Sequence, residues 1–566
     1  MKARILTFLM LALTLSALTQ IAPNKYFVSF TDKNNSPYSI DNPSEFLTQR
    51  AIERRLNQNI AIDLTDIPVN PNYIQGVAGT GASVLTHSKW MNGVTIFTDN
   101  PSVLDAVNAL PYVAGVTMLA KPGPSCPALT EGKQKPFFAN ETFEPAMVSS
   151  LKEGNDIGVF NYGASLNQIQ MLNGDIMHEM GYRGQGKVIA VIDAGFYNVN
   201  NLDVFDSLWA NNQILGTHDF VDGGLITFDG HTHGAMVLSL IGGNYPGYLI
   251  GTAPKASFWL LRSEDANTEY LVEEYNWVSA AEYADSVGAD VINSSLGYTE
   301  FDDPSQNHVY ADMDGNTCIA SKGADMLAKK GVLVVNSLGN SGSDPWYYLG
   351  APSDGDSVLG IGAVDAGGYY ASFSSHGPSY DGRVKPDVTA QGSGVFVVDP
   401  YSGGFGYGSG TSFSSPITAG MATCLWQANP LLNNMQIADA IRKSASQFNN
   451  PDDMLGYGIP DFILANNILT VIDGPADAVP SVNVYPNPFT DVFTVANVQE
   501  GHTGTVISNG TVEISDITGR IVATQKINTS SSGIITIDQL RNAPKGIYIV
   551  KVSQDGSQFV QKIVKE

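Results

Sequence analysis

The sequence predicts an α/β protein whose main domain is a mostly parallel sheet with helices on both faces, preceded by a small α/β unit and followed by a β-sandwich. Three observations carry this reading. Val188-Ile189-Ala190-Val191-Ile192 is an unbroken apolar run, as a strand buried on both faces requires, and strand-like and helix-like segments alternate after it. Residues from Lys25 to about Leu119 follow the order β-α-β-β-α-β. The last portion carries short alternating strands separated by turn signals such as Ser508-Asn509-Gly510.

In chain order, Met1-Lys2-Ala3-Arg4 and an apolar run over 5–18, with small Ala17 and Thr19, give a secretory signal peptide over 1–19. The first folded unit, within 20–120, is expected to contain strands over 26–30 and 82–86, a helix over 43–57, a strand over 90–96, a helix through 103–107 and a strand over 113–118. A linker follows over 121–156, rich in Pro, Gly, Ser, Lys and Glu without periodicity and therefore open to proteolysis. The central domain over 157–472 should hold strands at 258–261, 290–293 and 332–336 and helices at 270–287 and 319–330. A second linker over 473–481, with Asp473-Gly474-Pro475-Ala476-Asp477, precedes the terminal sandwich over 482–566. Its strands are expected at 482–485, 492–495, 512–515, 521–524, 533–537, 547–552 and 559–564.

Composition narrows the partners. Among 566 residues, 30 Lys and Arg against 55 Asp and Glu leave a formal charge of −25, which argues against nucleic acid or anionic membrane as a partner. Three cysteines, Cys126, Cys318 and Cys424, are too scattered for a disulfide framework or a zinc site, so at most one bridge can form within the chain.

Chemistry gathers around Gly408-Ser409-Gly410-Thr411-Ser412-Phe413-Ser414-Ser415-Pro416-Ile417. The glycines permit a tight turn and Pro416 belongs near a helix start, so the helix should begin no earlier than about Ser412. Ser412 would then sit where free N–H groups favour a developing oxyanion. Taken alone, the stretch reads equally well as a serine-rich cap. Two companions decide: Asp193 ends the apolar run at 188–192, and His233 opens a small-residue helix after Asp229-Gly230-His231-Thr232. Asp, His and Ser stand in an order used by one class of hydrolytic triad.

These segments resemble the subtilisin-like serine proteases, the subtilases, over about 181–461. The matching residues are Val191-Ile192-Asp193-Ala194-Gly195, His233-Gly234-Ala235-Met236-Val237 and Gly410-Thr411-Ser412-Phe413-Ser414-Ser415-Pro416. Val291-Ile292-Asn293-Ser294-Ser295-Leu296-Gly297, Gly339-Asn340-Ser341-Gly342 and Lys385-Pro386-Asp387-Val388 support them. Ala235, Leu238 and Ser239 depart from the usual His motif. His231 is set aside because Thr232 would then stand where the motif has glycine.

The resemblance implies a subtilisin-like fold and a secreted serine endopeptidase acting through an acyl-enzyme. Asp193, His233 and Ser412 would be catalytic, Asn340 would serve the oxyanion hole, and Ser295, Leu296 and Gly297 would pair with substrate backbone. The ferredoxin-like unit at the start resembles the inhibitory propeptides of this family, whose C-terminal end lies in the cleft until cut. Val484-Tyr485-Pro486-Asn487-Pro488-Phe489, Gly546-Ile547-Tyr548-Ile549-Val550-Lys551-Val552 and Lys562-Ile563-Val564-Lys565-Glu566 resemble the C-terminal sorting domains of type IX secretion. The implied partners are protein or peptide substrates, the chain's own propeptide and secretion machinery, with a secreted or cell-surface location.

No cofactor is required by this chemistry, and calcium enters only as an optional stabiliser. Asp312-Met313-Asp314-Gly315-Asn316 opens like a calcium loop, but Thr317 and Gly323 stand where the loop needs Gly and Glu, so a turn is the better reading and no metal ligand is assigned. An apolar primary pocket bounded by 295–297 and 335–340 is expected, and Asp344-Pro345-Trp346-Tyr347-Tyr348 either overhangs the site or forms an exposed turn. Two rival functions use the same residues: an inactive surface adhesin and an esterase or amidase.

Overall fold

A computed structural model describes residues 24–120, 135, 140–146, 159–225, 227–470, 481–485, 489–498, 510–516, 520–527, 534–554 and 557–565. The signal peptide and Cys126 lie outside these residues, as does most of the first linker.

The central domain is built on a seven-stranded sheet. Its strands run, edge to edge, Val388–Gln391, Val358–Val364, Leu333–Ser337, Val291–Ser294, Val188–Asp193, Ser257–Arg262 and Ile214–Asp219. All six neighbouring pairs are parallel. Each strand residue must alternate between faces, and two apolar clusters show the result. Ile189 and Val191 pack with the helices His233–Gly242 and Thr411–Ala428, while Val188, Ala190 and Ile192 pack with Val272–Val287 and Ile319–Lys329. Two-sided burial is why the 188–192 run is apolar at every position.

The strands Ile214–Asp219, Val358–Val364 and Val388–Gln391 add to those expected, since none of these runs is isolated enough to be told from a loop or helix by pattern. The serine helix starts at Thr411, one residue before the expected limit.

The first unit is a four-stranded antiparallel sheet in the order Ser83–Ser88, Gly93–Phe97, Lys25–Phe30, Val113–Ala120. The expected helix over 43–57 is broken in two, because Thr48 takes an extended conformation and caps a new helix, Gln49–Asn57, by accepting from Ala51 N–H. A further helix, Pro71–Gly79, was signalled by the Asn70-Pro71 cap pair but not expected. Trp90 to Asn92 lie in a turn before Gly93–Phe97 rather than in a strand.

This unit docks on the helix Val272–Val287 through buried charge. Glu282 accepts from Ser88 Oγ and from the N–H groups of Lys89 and Trp90. Asp285 pairs with Arg54 at 2.5 Å, Arg55 at 2.8 Å and Lys89 at 2.9 Å. Burial alone would raise the Asp285 carboxyl, but these three cations outweigh it and hold it well below the usual carboxylate range.

The C-terminal unit consists of two antiparallel sheets, Ser481–Tyr485, Phe493–Val498 and Ile534–Ile537 in one, and Ile521–Ile527, Gly510–Asp516, Gly546–Gln554 and Ser557–Lys565 in the other. Phe493, Val495, Val512, Val550 and Ile563 share its core. All seven expected strands are present.

Candidate active site

Asp193 ends the strand next to Ser257–Arg262, at the carboxyl edge of the sheet, and is fully buried. Its Oδ1 accepts from Ala194 N–H at 2.7 Å and lies 2.8 Å from His233 Nδ1. The approach depends on two glycines. Gly195 has φ +144°, and a Cβ on Gly234 would come within 2.4 Å of Gly195 O, so the histidine helix seats against the Asp193 turn only because both side chains are absent. His231 does not join the pair: its Nδ1 accepts from His233 N–H at 3.3 Å, which fixes the start of the helix.

Ser412 stands in the first turn of Thr411–Ala428 and is fully buried. Pro416 sits inside that helix and has no N–H to give back to the carbonyl of Ser412. Ser295 Oγ donates to that carbonyl instead, at 2.9 Å, which ties the 295–297 segment to the serine turn. Ser295, Leu296 and Gly297 are buried here rather than forming an exposed edge.

Asn340 follows the strand Leu333–Ser337 and is 2% exposed. Its Oδ1 accepts from Thr411 N–H at 2.8 Å and from Thr411 Oγ1 at 2.9 Å. Thr411 Oγ1 in turn accepts from Gly339 N–H at 3.2 Å. With the carbonyl side of the amide so occupied, Nδ2 is turned into the site.

What that amide meets was not legible in the sequence. Asn340 Nδ2 donates to Glu141 Oε1 at 3.2 Å, and Glu141 Oε2 lies 3.3 Å from His233 Nε2. Glu141 comes from the linker. The next residues, Thr142–Pro145, form a strand antiparallel to Phe405–Ser409, immediately before the serine turn. Gly406 and Gly410 make room for it, since a Cβ at Gly406 would meet the Phe143 ring at 2.4 Å and one at Gly410 would meet Glu141 Oε1 at 2.9 Å. Asn140 Nδ2 donates to Asn340 O at 2.8 Å and Asp344 Oδ2 at 2.6 Å, so the 344–348 stretch begins at the site.

Burial would push the imidazole of His233 down, but the carboxylates of Asp193 and Glu141 face one ring and raise it to about 10. Ser412 Oγ forms no hydrogen bond among the described residues.

Asp314 accepts from the N–H groups of Asn316 and Thr317 in its own turn. Glu264, Glu269 and Glu273 face the amine of Lys135. Cys318 and Cys424 are free and buried.

A seven-stranded parallel sheet carrying an aspartate, a histidine and a helix-mouth serine at one edge defines a class of α/β protein. The chain belongs to the subtilase family. Residues 184–458 match the model described as "Peptidase_S8: Subtilase family", residues 25–133 match "Peptidase S8 propeptide domain, Bacteroidota", and residues 483–566 match "Secretion system C-terminal sorting domain". Subtilisin DY of Bacillus licheniformis is 30% identical over 296 residues, covering 51% of this chain and 93% of that protein. The membrane-bound transcription factor site-1 protease of Mus musculus is 29% identical over 373 residues, 62% of this chain, and the match spans about a third of that longer protein (32%). Among solved structures, fervidolysin from Fervidobacterium pennivorans, a keratinolytic enzyme related to subtilisin, aligns at TM-score 0.50 and 17% identity over 96% of this chain and 76% of that one, a likeness of fold.

Proposed function

We propose that this chain is a secreted serine endopeptidase made as a self-blocked precursor. The observation that carries the reading is the convergence of His233 and Asn340 on the Glu141 carboxylate, with Asp193 on the other nitrogen of the ring, beside the serine turn at Ser412. A hydroxyl is a poor nucleophile at neutral pH. In the proposed reaction His233 takes the Ser412 proton during attack on the scissile carbonyl and returns it to the leaving amine. Asp193 holds the imidazole tautomer and stabilises the imidazolium. The tetrahedral oxyanion would be met by the Ser412 N–H and by Asn340 Nδ2, where Glu141 Oε1 now accepts.

The blocked state follows from the same chemistry. A ring held protonated by two carboxylates cannot accept a proton, and Glu141 Oε1 takes the Asn340 N–H that would meet an oxyanion. Processing within the first linker would release both. In this reading substrate backbone pairs with Ser295, Leu296 and Gly297 after the linker leaves, the primary pocket is apolar and bounded by 295–297 and 335–340, and the 482–566 unit addresses the chain to a secretion system that delivers it outside the cell or onto its surface. Among the described residues no helix is long and apolar enough to cross a membrane.

The reaction is proposed to need no cofactor. A fall in melting temperature on adding a calcium chelator would reveal calcium as a stabiliser. The central test is labelling with a fluorophosphonate. The processed protein should label at Ser412 and cleave casein, whereas Ser412→Ala should neither label nor change its N-terminus. An unlabelled processed protein would defeat the reading, and unchanged export after deletion of 482–566 would defeat the sorting role.

A further inference from the structure

Apart from the triad, the same edge of the sheet carries a second concentration of charge. Glu264, Glu269 and Glu273 are 1%, 4% and 2% exposed, and their carboxylate oxygens converge within 4.8 Å of one another. Lys135, 4% exposed, places its amine among them, 2.7 Å from Glu264 Oε2, 2.9 Å from Glu273 Oε1 and 3.4 Å from Glu269 Oε2. The carboxylates of Glu264 and Glu273 are also held from outside. Tyr298 Oη donates to Glu264 Oε1, and Glu273 accepts from the N–H groups of Asp265 at 3.0 Å and Tyr270 at 3.3 Å. Glu269 Oε1 is buried without a hydrogen-bond partner among the described residues.

The pocket's place relates it to catalysis. Glu264 lies two residues beyond Arg262, which sits beside Asp193 across the sheet, and Tyr298 directly follows Gly297. Lys135 precedes Glu141 by six residues, and the chain leaves the site through Thr142–Pro145. Lys135 therefore stands on the amino-terminal side of the residue, Glu141, that meets His233 and Asn340.

We propose that Glu264, Glu269 and Glu273 form a subsite for a lysine or arginine side chain of the substrate, on the amino-terminal side of the scissile bond, which Lys135 fills in the precursor. The proposal rests on the protease reading and names its substrate class. Once the linker is cut away, three buried carboxyls lose the only cation ion-paired to them among the described residues. Buried charge without a counter-charge is strongly unfavourable, so the vacated pocket selects a group that restores it. Burial already raises Glu269 to about 7 and raises Glu273, with the Lys135 amine opposing both shifts. An amine with three donors suits three acceptors at these distances.

The test uses the full-length chain after its own processing, a peptide library that holds all twenty residues at every position, and one pair of substrates differing by lysine or norleucine at the enriched position. Lysine or arginine should be enriched at one position amino-terminal to the cut, and kcat/KM should favour the lysine peptide by about 150-fold or more, as for a buried ion pair that loses one partner. In a Glu264→Gln/Glu273→Gln protein that ratio should collapse towards one. The library experiment needs no substitution, so it decides even where that variant fails to fold. Cleavage or Ser412 labelling without basic enrichment overturns the subsite alone. So does a calcium-induced rise in melting temperature that the double variant abolishes, if it comes without basic enrichment. Absence of both labelling and cleavage overturns the protease reading and the subsite together.

Discussion

Glu141 Oε2 lies 3.3 Å from His233 Nε2, on the side of the ring opposite the nitrogen that meets Asp193. The imidazole is thus held between two carboxylates, one from the sheet and one from the linker. Its raised value, about 10, means that roughly one ring in a thousand is neutral at pH 7.

Replacing Glu141 with Gln keeps the shape and removes the charge. In the unprocessed chain, Glu141→Gln should speed fluorophosphonate labelling of Ser412 by about tenfold for each unit by which the His233 value falls. The sign of the pH response is fixed by a raised histidine. The contact is fully formed below the free-imidazole range near 6.5 and is lost as pH rises towards 10, so labelling of the native precursor should climb across that window. A flat profile would show that protonation of His233 does not hold the precursor silent.

The Asn340 amide is oriented by Thr411, which donates to Oδ1 from both its N–H and its hydroxyl. Asn340→Ala should lower kcat about a hundredfold or more with little change in KM, since the bond strengthens only as charge develops. Thr411→Val removes one of the two donors and the acceptor for Gly339 N–H, and should lower kcat by about tenfold, the worth of one hydrogen bond. Equal turnover in Asn340→Ala would remove this residue from the oxyanion site.

Asp285 gathers three cations of the first unit beneath it. Asp285→Asn leaves Arg54, Arg55 and Lys89 facing an uncharged amide and should weaken retention of the cut propeptide by about 3–5 kcal/mol. Size-exclusion chromatography of the processed protein should show the propeptide bound in the native chain and released in the variant. Because the carboxyl is depressed, its contribution is present above the usual carboxylate range near 4 and is lost as pH falls below it. Release of the native propeptide should therefore occur in strong acid, and retention there would show that apolar contacts such as Phe27 on Tyr275 are sufficient.

Deciding between the endopeptidase and an esterase needs only a comparison of substrates. A casein assay and a small-ester assay on the same processed sample should both respond, with casein cleavage lost in Ser412→Ala. Ester hydrolysis alone would reassign the activity.

Local pattern determined the layers of this molecule. The apolar run ending in Asp193, the glycines around Ser412 and the alternating strands of the last portion each obey a period or a steric rule that a short stretch can display by itself. The Asp193, His233 and Ser412 motifs were legible for the same reason: each lies where a strand ends or a helix begins, and those ends carry marked residues. Tertiary structure alone decided the rest. Glu141 and Lys135 lie in a linker whose composition resembles many solvated chains, and nothing within a few residues of either tells where it will rest. Their meaning comes from groups more than ninety residues away: His233 and Asn340 for one, Glu264, Glu269 and Glu273 for the other. A charge acquires its role from the opposite charge and the burial it meets, and the chain reveals those only once it has folded.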